Sequence, residues 1–164
     1  MNHTHTLDVT TRGDREIVMT RVFDAPRRLV FQAWTRPELL KRWLGVFGGN
    51  ELVVCEIDLR VGGAFRYVWR SSDGAEMGMR GVYQEIVAPE RLVSTNVFDT
   101  AWYPGSETNT LTFAEEGGKT MLTNAVLYDS REARDIAIKS SMSKGVGAGY
   151  DALDLVLASL RETT

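Results

Sequence analysis

The hydrophobic period of this chain becomes two from Leu52 and reverts to helical spacing near Asp129, and that pattern limits what it can fold into. From Leu52 to Tyr128 apolar residues recur at every second position, the period of a strand with one buried face. Turn residues break the stretch at Gly62–Gly63, Asp73–Gly74, Pro89, Pro104–Gly105 and Gly117–Gly118. They leave six predicted strands, at roughly 52–59, 64–70, 76–87, 91–99, 107–115 and 119–128. Beyond Asp129 the spacing becomes helical. Met142, Val146, Tyr150, Leu153, Leu157 and Leu160 form one stripe, with Asp129 placed to cap the helix and Glu132 at the reciprocal capping position.

Ahead of the strand run, Arg15 to Phe23 reads as a further strand, with Ile17, Met19, Val22 and Phe23 apolar. Asp24, Ala25 and Pro26 signal a helix start, and Leu29, Val30, Ala33 and Trp34 share a helical face. Thr35 and Pro37 restart the chain as a second short helix carrying Leu39, Leu40, Trp43 and Leu44, ended by Gly45, Gly48 and Gly49. A strand, two short helices, six strands and one long helix contain no βαβ alternation. The expected class is therefore α+β, with a seven-stranded antiparallel sheet wrapped round a long C-terminal helix. The expected organisation is a flexible polar tail over residues 1–14, with His3 and His5 in it, and a single domain over residues 15–162.

Charge and cysteine content narrow the partners. Lys and Arg total 19 against 22 Asp and Glu, a formal net charge of -3, and no basic run is long enough to follow a phosphate backbone, which argues against nucleic acid. The single cysteine, Cys55, lies in an apolar run and has no intrachain partner, so it reads as a buried thiol. No stretch reaches the roughly 18 apolar residues of a membrane span, and the N-terminus has no signal core, which points to the cytoplasm. With no histidine outside the tail, a serine or cysteine nucleophile lacks its usual base. Metal, dinucleotide and P-loop fingerprints are missing as well, so no cofactor and no metal are expected. Catalysis, if any, rests on a carboxylate, a tyrosine or an arginine.

The segment from Cys55 to Arg70, CEIDLRVGGAFRYVWR, carries a D-x-R-x-G-G hairpin at Asp58, Arg60, Gly62 and Gly63, followed by alternating aromatics. With RVFDAPRRLVFQAWTRPELLKRWLG, GVYQEIVAPERLVST and KGVGAGYDALDLVLASL, it resembles the activator-of-heat-shock-protein-90-ATPase-like branch of the START and polyketide-cyclase (SRPBCC) superfamily. The resemblance covers nearly all the chain after the tail. It implies the helix-grip fold, in which sheet and C-terminal helix enclose a hydrophobic cavity. Asp58 and Arg60 share a strand face and read as bracing their turn.

Strand period assigns the candidate wall of that cavity. Phe65, Tyr67 and Trp69 share one face, Asn96 and Phe98 another with Leu92 and Ser94, Leu111 and Phe113 a third, and Asn124 and Val126 a fourth with Leu122 and Tyr128. Tyr83 joins them, and Val146, Tyr150 and Leu153 face them from the helix. Asn96 and Asn124 stand out, because an amide on an apolar face costs about 1–3 kcal/mol unless it is hydrogen-bonded. They bond to water, to each other across the sheet, or to a ligand with a polar end. Gly145, Gly147 and Gly149 together weaken the helix by about 3 kcal/mol relative to alanines. They let it bend, or bring its backbone close to the sheet, a ligand or a second subunit, so a homodimer stays open.

The leading expectation is a protein that holds a hydrophobic or amphipathic small molecule. A cyclase- or hydrolase-like enzyme ranks second, since no acid–base constellation is visible in the sequence. A co-chaperone role, suggested by the family's name alone, ranks third, because the chain has no room for the separate N-terminal domain of the eukaryotic activators.

Overall fold

A computed structural model of the chain describes residues 6–46 and 48–162; His3 and His5 lie outside them. Eight strands form one antiparallel sheet in the order β1-β2-β8-β7-β6-β5-β4-β3. They are β1 (Asp8–Arg12), β2 (Glu16–Phe23), β3 (Glu51–Ile57), β4 (Ala64–Arg70), β5 (Glu76–Val87), β6 (Arg91–Phe98), β7 (Glu107–Glu116) and β8 (Lys119–Tyr128). Two short helices, α1 (Arg27–Thr35) and α2 (Pro37–Leu40), connect β2 to β3; α3 (Arg131–Lys139) and α4 (Met142–Glu162) follow β8. The α+β class, the antiparallel pairing and the six consecutive strands are as the period indicates. The strand count is eight rather than seven. The additional strand, β1, arises within the segment expected to be polar tail, where Asp8 to Arg12 pair with Thr20 to Glu16. It carries little apolar surface, so periodicity does not reveal it; an edge strand needs only backbone pairing along one side.

Alternation does what the sequence demands of it. Along β2, Ile17, Met19, Arg21 and Phe23 are buried while the residues between them are half-exposed, and along β8 Thr120, Leu122, Asn124, Val126 and Tyr128 are buried. The main core joins these faces to α1, α2 and α4 through Phe23, Leu29, Val30, Leu40, Trp43, Leu153 and Leu157. A smaller cluster forms around Ile17, Met19, Tyr103, Val126, Tyr128, Ala133 and Ala137.

The C-terminal helix is two helices. Ser130, not Asp129, caps α3, its side chain accepting from the Ala133 N–H at 3.1 Å. Asp129 instead accepts from the Ser106 N–H at 2.8 Å. The chain leaves helical geometry at Ser140, whose hydroxyl donates to the Ala137 carbonyl at 2.6 Å and accepts from the Met142 N–H at 3.1 Å. These local side-chain bonds compete with the helical ladder and stop it. The glycines do not: α4 runs through Gly145, Gly147 and Gly149 without a break.

Candidate functional site

The concave face of the sheet, α4 and the α1–α2 segment enclose a cavity of about 280 Å³. That is near the lower end of the roughly 300–1,000 Å³ of ligand pockets. One wall is aromatic and braced by its own contacts. Phe65 lies 5.1 Å from Tyr67 and 5.0 Å from Tyr83, centroid to centroid, and Tyr67 lies 5.9 Å from Trp69. Trp34 and Trp43 meet edge to face at 4.6 Å. The Trp43 indole N–H donates to the Ala33 carbonyl at 3.0 Å and that of Trp69 to the Leu44 carbonyl at 2.8 Å. Rings pinned by contacts and hydrogen bonds form a wall of fixed shape, which lowers the ordering cost of binding. Across from it, Gly149 lets α4 approach closely, because a Cβ there would lie 3.3 Å from the Trp43 carbonyl oxygen.

The opposite wall, on β6, β7 and β8, is polar at its centre. Glu107, only 8% exposed, is paired with Asn96 across β6 and with Tyr128 across β8. Its Oε1 accepts from the amides of Asn96 at 3.2 Å and Asn109 at 3.4 Å, and its Oε2 accepts from the Tyr103 hydroxyl at 2.9 Å. The Ser94 hydroxyl donates to Asn96 Oδ1 at 2.8 Å, which turns the Asn96 amide nitrogen toward Glu107. Burial pushes the Glu107 carboxyl above its usual range, opposed by the bonds from Tyr103, Asn109 and Asn96. Tyr103 and Tyr128 are pushed up too, mainly by burial and then by the Glu107 charge, so both stay neutral hydroxyls.

Among the described residues four buried polar atoms of the cavity lining have no hydrogen-bond partner: Asn109 Oδ1, Asn124 Oδ1, the Tyr150 hydroxyl and the Trp34 indole nitrogen. Burial raises the Tyr150 hydroxyl, and Asn124 lies near enough to offset part of that rise without meeting hydrogen-bond geometry. Such atoms each cost about 1–3 kcal/mol when left unmade, and they collect where a ligand or water completes them.

Of the residues assigned to the wall from sequence, the structure brings Phe65, Tyr67, Trp69, Tyr83, Asn96 and Phe98 to the cavity from β4, β5 and β6. Leu111, Asn124, Val126, Val146 and Tyr150 join them from β7, β8 and α4. Phe113 and Leu153 do not line it. Phe113 packs edge to face on Phe31 at 5.5 Å, and Leu153 is fully enclosed in the main core. Both keep the inward phase that their spacing gives them, but they are packed within the main core before the cavity begins. Asn96 and Asn124 are not bonded to each other, because β7 runs between them: Asn96 faces Glu107 and Asn124 faces Leu111. The apolar period does not single out Glu107 and Asn109, although their phase is visible: 107, 109, 111 and 113 are alternate positions of one strand, and the period assigns Leu111 and Phe113 to the wall.

Other candidates resolve structurally. The Arg60 guanidinium donates to Asp58 at 2.9 Å on an exposed turn, away from the cavity. Cys55 is buried and free, its thiol pushed up to about 11 chiefly by burial, which keeps it protonated and unreactive. Among the described residues no group of three or more His, Cys, Asp or Glu is placed to hold a metal ion, and no helix is long and apolar enough to cross a membrane.

A family model described as activator of Hsp90 ATPase homolog 1-like protein matches residues 24–158. No curated protein matches the chain. Among solved structures, a Rhodobacter sphaeroides protein superposes with a TM-score of 0.87 at 29% identity, covering 93% of this chain and 98% of that one. A Chromobacterium violaceum protein superposes at 0.72 with 28% identity, covering 87% and 96%. An Aeromonas hydrophila protein described as AHSA1-like shares the fold at 0.70 and 22% identity, covering 85% and 92%.

Proposed function

The chain belongs to the activator of Hsp90 ATPase homolog 1-like family, and from the cavity it encloses we propose that it binds a hydrophobic or amphipathic small molecule there. One observation carries this reading. A packed core of this size has no reason to keep about 280 Å³ open between rigid aromatic rings and buried, unpaired polar atoms. Its apolar walls supply burial at about 25 cal/mol per Å², and its polar groups orient what they hold.

The experiment is a thermal-shift screen against small aromatics, lipids and polyketides, with hits verified by native mass spectrometry. A ligand at a hundredfold excess over its Kd stabilises the folded state by about 2.7 kcal/mol, which raises Tm by several degrees in a domain of this length. A bulky substitution at the wall, Val126→Phe, is expected to abolish the shift while leaving the protein folded. A screen in which no compound raises Tm overturns the reading.

Glu107 supports a second reading, a cyclase- or hydrolase-like enzyme, because a buried carboxyl with a raised pKa in a cavity is what moving a proton near neutral pH requires. Exchange of acidic C–H protons into deuterated water, catalysed by the protein and lost in Glu107→Gln, would establish it. No exchange above the solvent rate eliminates it.

A further inference from the structure

We infer that the occupant of this cavity is a protonated amine carried on an apolar body, its ammonium group set against the Glu107 carboxylate and the amide oxygen of Asn109. The inference rests on the small-molecule reading above and adds the ligand's chemical class and the residues that select it.

The first step concerns the form of Glu107 for which the site is built. All three of its partners donate: the Tyr103 hydroxyl to one oxygen, and the Asn96 and Asn109 amides to the other. Asn96 is held in that orientation by the Ser94 hydroxyl. Three donors on two oxygens suit a carboxylate, which only accepts, better than a carboxylic acid, which must also donate. The hydrogen bonds are provided, but among the described residues a counter-charge is not: none of their Lys, Arg or His side chains lines the cavity. The two buried arginines are committed elsewhere, Arg21 to Asp151 and Asp154, and Arg134 to Asp135 and the carbonyls of Gly13 and Glu16. Tyr103 and Tyr128 are the other titratable groups facing Glu107, and both are neutral. A buried carboxyl is either paired or takes up a proton, and a cation brought by the ligand would hold Glu107 in its charged form.

The second step concerns the unpaired atoms. On the concave face Asn109 is the next inward residue of β7 after Glu107, and Asn124 stands opposite Leu111, the one after that. Diagonal neighbours in a sheet lie about 7–8 Å apart, so Asn124 borders Asn109, but Glu107 stands opposite Tyr128, two inward positions of β8 beyond Asn124, and only Asn109 shares the carboxylate's end of the wall. The Asn109 oxygen accepts only and lacks a donor, whereas Asn124 stands beside the Tyr150 hydroxyl. An ammonium supplies three N–H donors and a positive charge at once. A hydroxyl supplies one donor and no charge, and an anion is opposed by Glu107. The aromatic rings around the cavity, among them Trp34, Trp102 and Phe98, favour a cation near their faces and pack the apolar remainder. The unpaired Trp34 Nε1–H can take an ether or carbonyl oxygen elsewhere on the same molecule.

The test uses the full chain and three probes of one shape: 4-phenylbutylamine, 4-phenylbutanol and 4-phenylbutanoate, titrated calorimetrically at pH 7. The expected order is amine, then alcohol, then carboxylate, with the amine tighter than the alcohol by about tenfold or more, as a charge-assisted hydrogen bond provides. Glu107→Gln should bring amine and alcohol to within about threefold of each other. Should that variant fail to fold, the order in the unaltered protein decides alone. If the alcohol or the carboxylate equals the amine, the inference fails and the cavity reading stands. If Glu107→Gln keeps the full preference for the amine, the inference also fails. If none of the three binds, the inference fails as well, and whether another compound raises Tm in the broader screen decides the cavity reading separately.

Discussion

A carboxyl group 8% exposed and walled by aromatic rings holds its proton to higher pH than it does in the unfolded chain. Folding is therefore coupled to protonation of Glu107, and the sign is fixed. Because the folded pKa is raised, the folded state binds more protons between the two pKa values, and stability falls as pH rises through that interval. The contribution is complete below the unfolded value of about 4.3 and declines toward the folded pKa. Glu107→Gln keeps an amide that can bond to Tyr103 but cannot titrate. Thermal denaturation from pH 4.5 to 8 should show the unaltered protein losing Tm relative to the variant as pH rises. A relative gain would mean that the three donors outweigh burial and hold the carboxylate ionised in the empty cavity. Glu16, Asp73 and Asp99 have lowered pKa values, each chiefly through a side-chain hydrogen bond, and slope the other way; they are common to both proteins and cancel in the difference. Residues such as Tyr67, Asn124 and Tyr150 were legible in the sequence because period places them among apolar neighbours. Glu107 was not, since a glutamate next to the Pro104–Gly105 turn reads as a solvated strand end. It is buried by the way Tyr103 folds back over it, and a loop conformation leaves no periodic trace.

Elements show the same division between what repeats and what does not. Strands β3 to β8 follow from alternation and turn residues, and α1 from a stripe of four apolar positions. The division of the last helix at Ser140 escaped the pattern, because serine hydroxyls bonding to nearby backbone do not disturb an apolar stripe. The turn after α2 is tighter than its glycines alone suggest. Gly45 has a φ of +70°, and a Cβ on it would fall on the Trp69 indole nitrogen, which donates to the carbonyl of the preceding residue, Leu44. Gly45→Ala thus meets two obstacles: a left-handed backbone costing about 1 kcal/mol and displacement of a packed ring. The expected loss is about 2–4 kcal/mol in denaturant unfolding, with tryptophan emission shifted to the red as Trp69 leaves its partner. An alanine variant within about 0.5 kcal/mol of the parent would show that the turn relaxes and does not fix this part of the wall.

At the scale of the molecule, the question is what holds the helix to the sheet around a space that packing leaves empty. The cavity removes contacts between α4 and the middle of the sheet, so the joint depends on what lies beside it. Arg21 is placed there. It occupies an inward position of β2, 1% exposed between Met19 and Phe23, with its guanidinium 5.3 Å from the Phe23 ring centre. It binds Asp151 at 2.9 Å and also Asp154, one turn further along α4. An arginine on an apolar strand face looks like an interruption when read from the sequence; its meaning comes only from two aspartates 130 or more positions away that share a helical face. The two pairs should differ sharply in worth. The side chain of Asp151 is 72% exposed, so Asp151→Ala is expected to cost below about 1 kcal/mol, as exposed pairs do. The side chain of Asp154 is 17% exposed, and Arg21→Ala leaves that carboxylate without its buried counter-charge and opens a cavity in the sheet, for an expected loss of about 3–5 kcal/mol. Arg21→Met, which refills the volume but not the charge, should recover part of the packing without the Arg21–Asp154 pair, and Arg21→Met combined with Asp154→Leu should recover most of the rest. Chemical denaturation of the four variants measures the ladder directly. If Arg21→Ala costs no more than Asp151→Ala, the clamp contributes little, and the hydrophobic contacts of Tyr150, Leu153 and Leu157 alone keep α4 on the sheet.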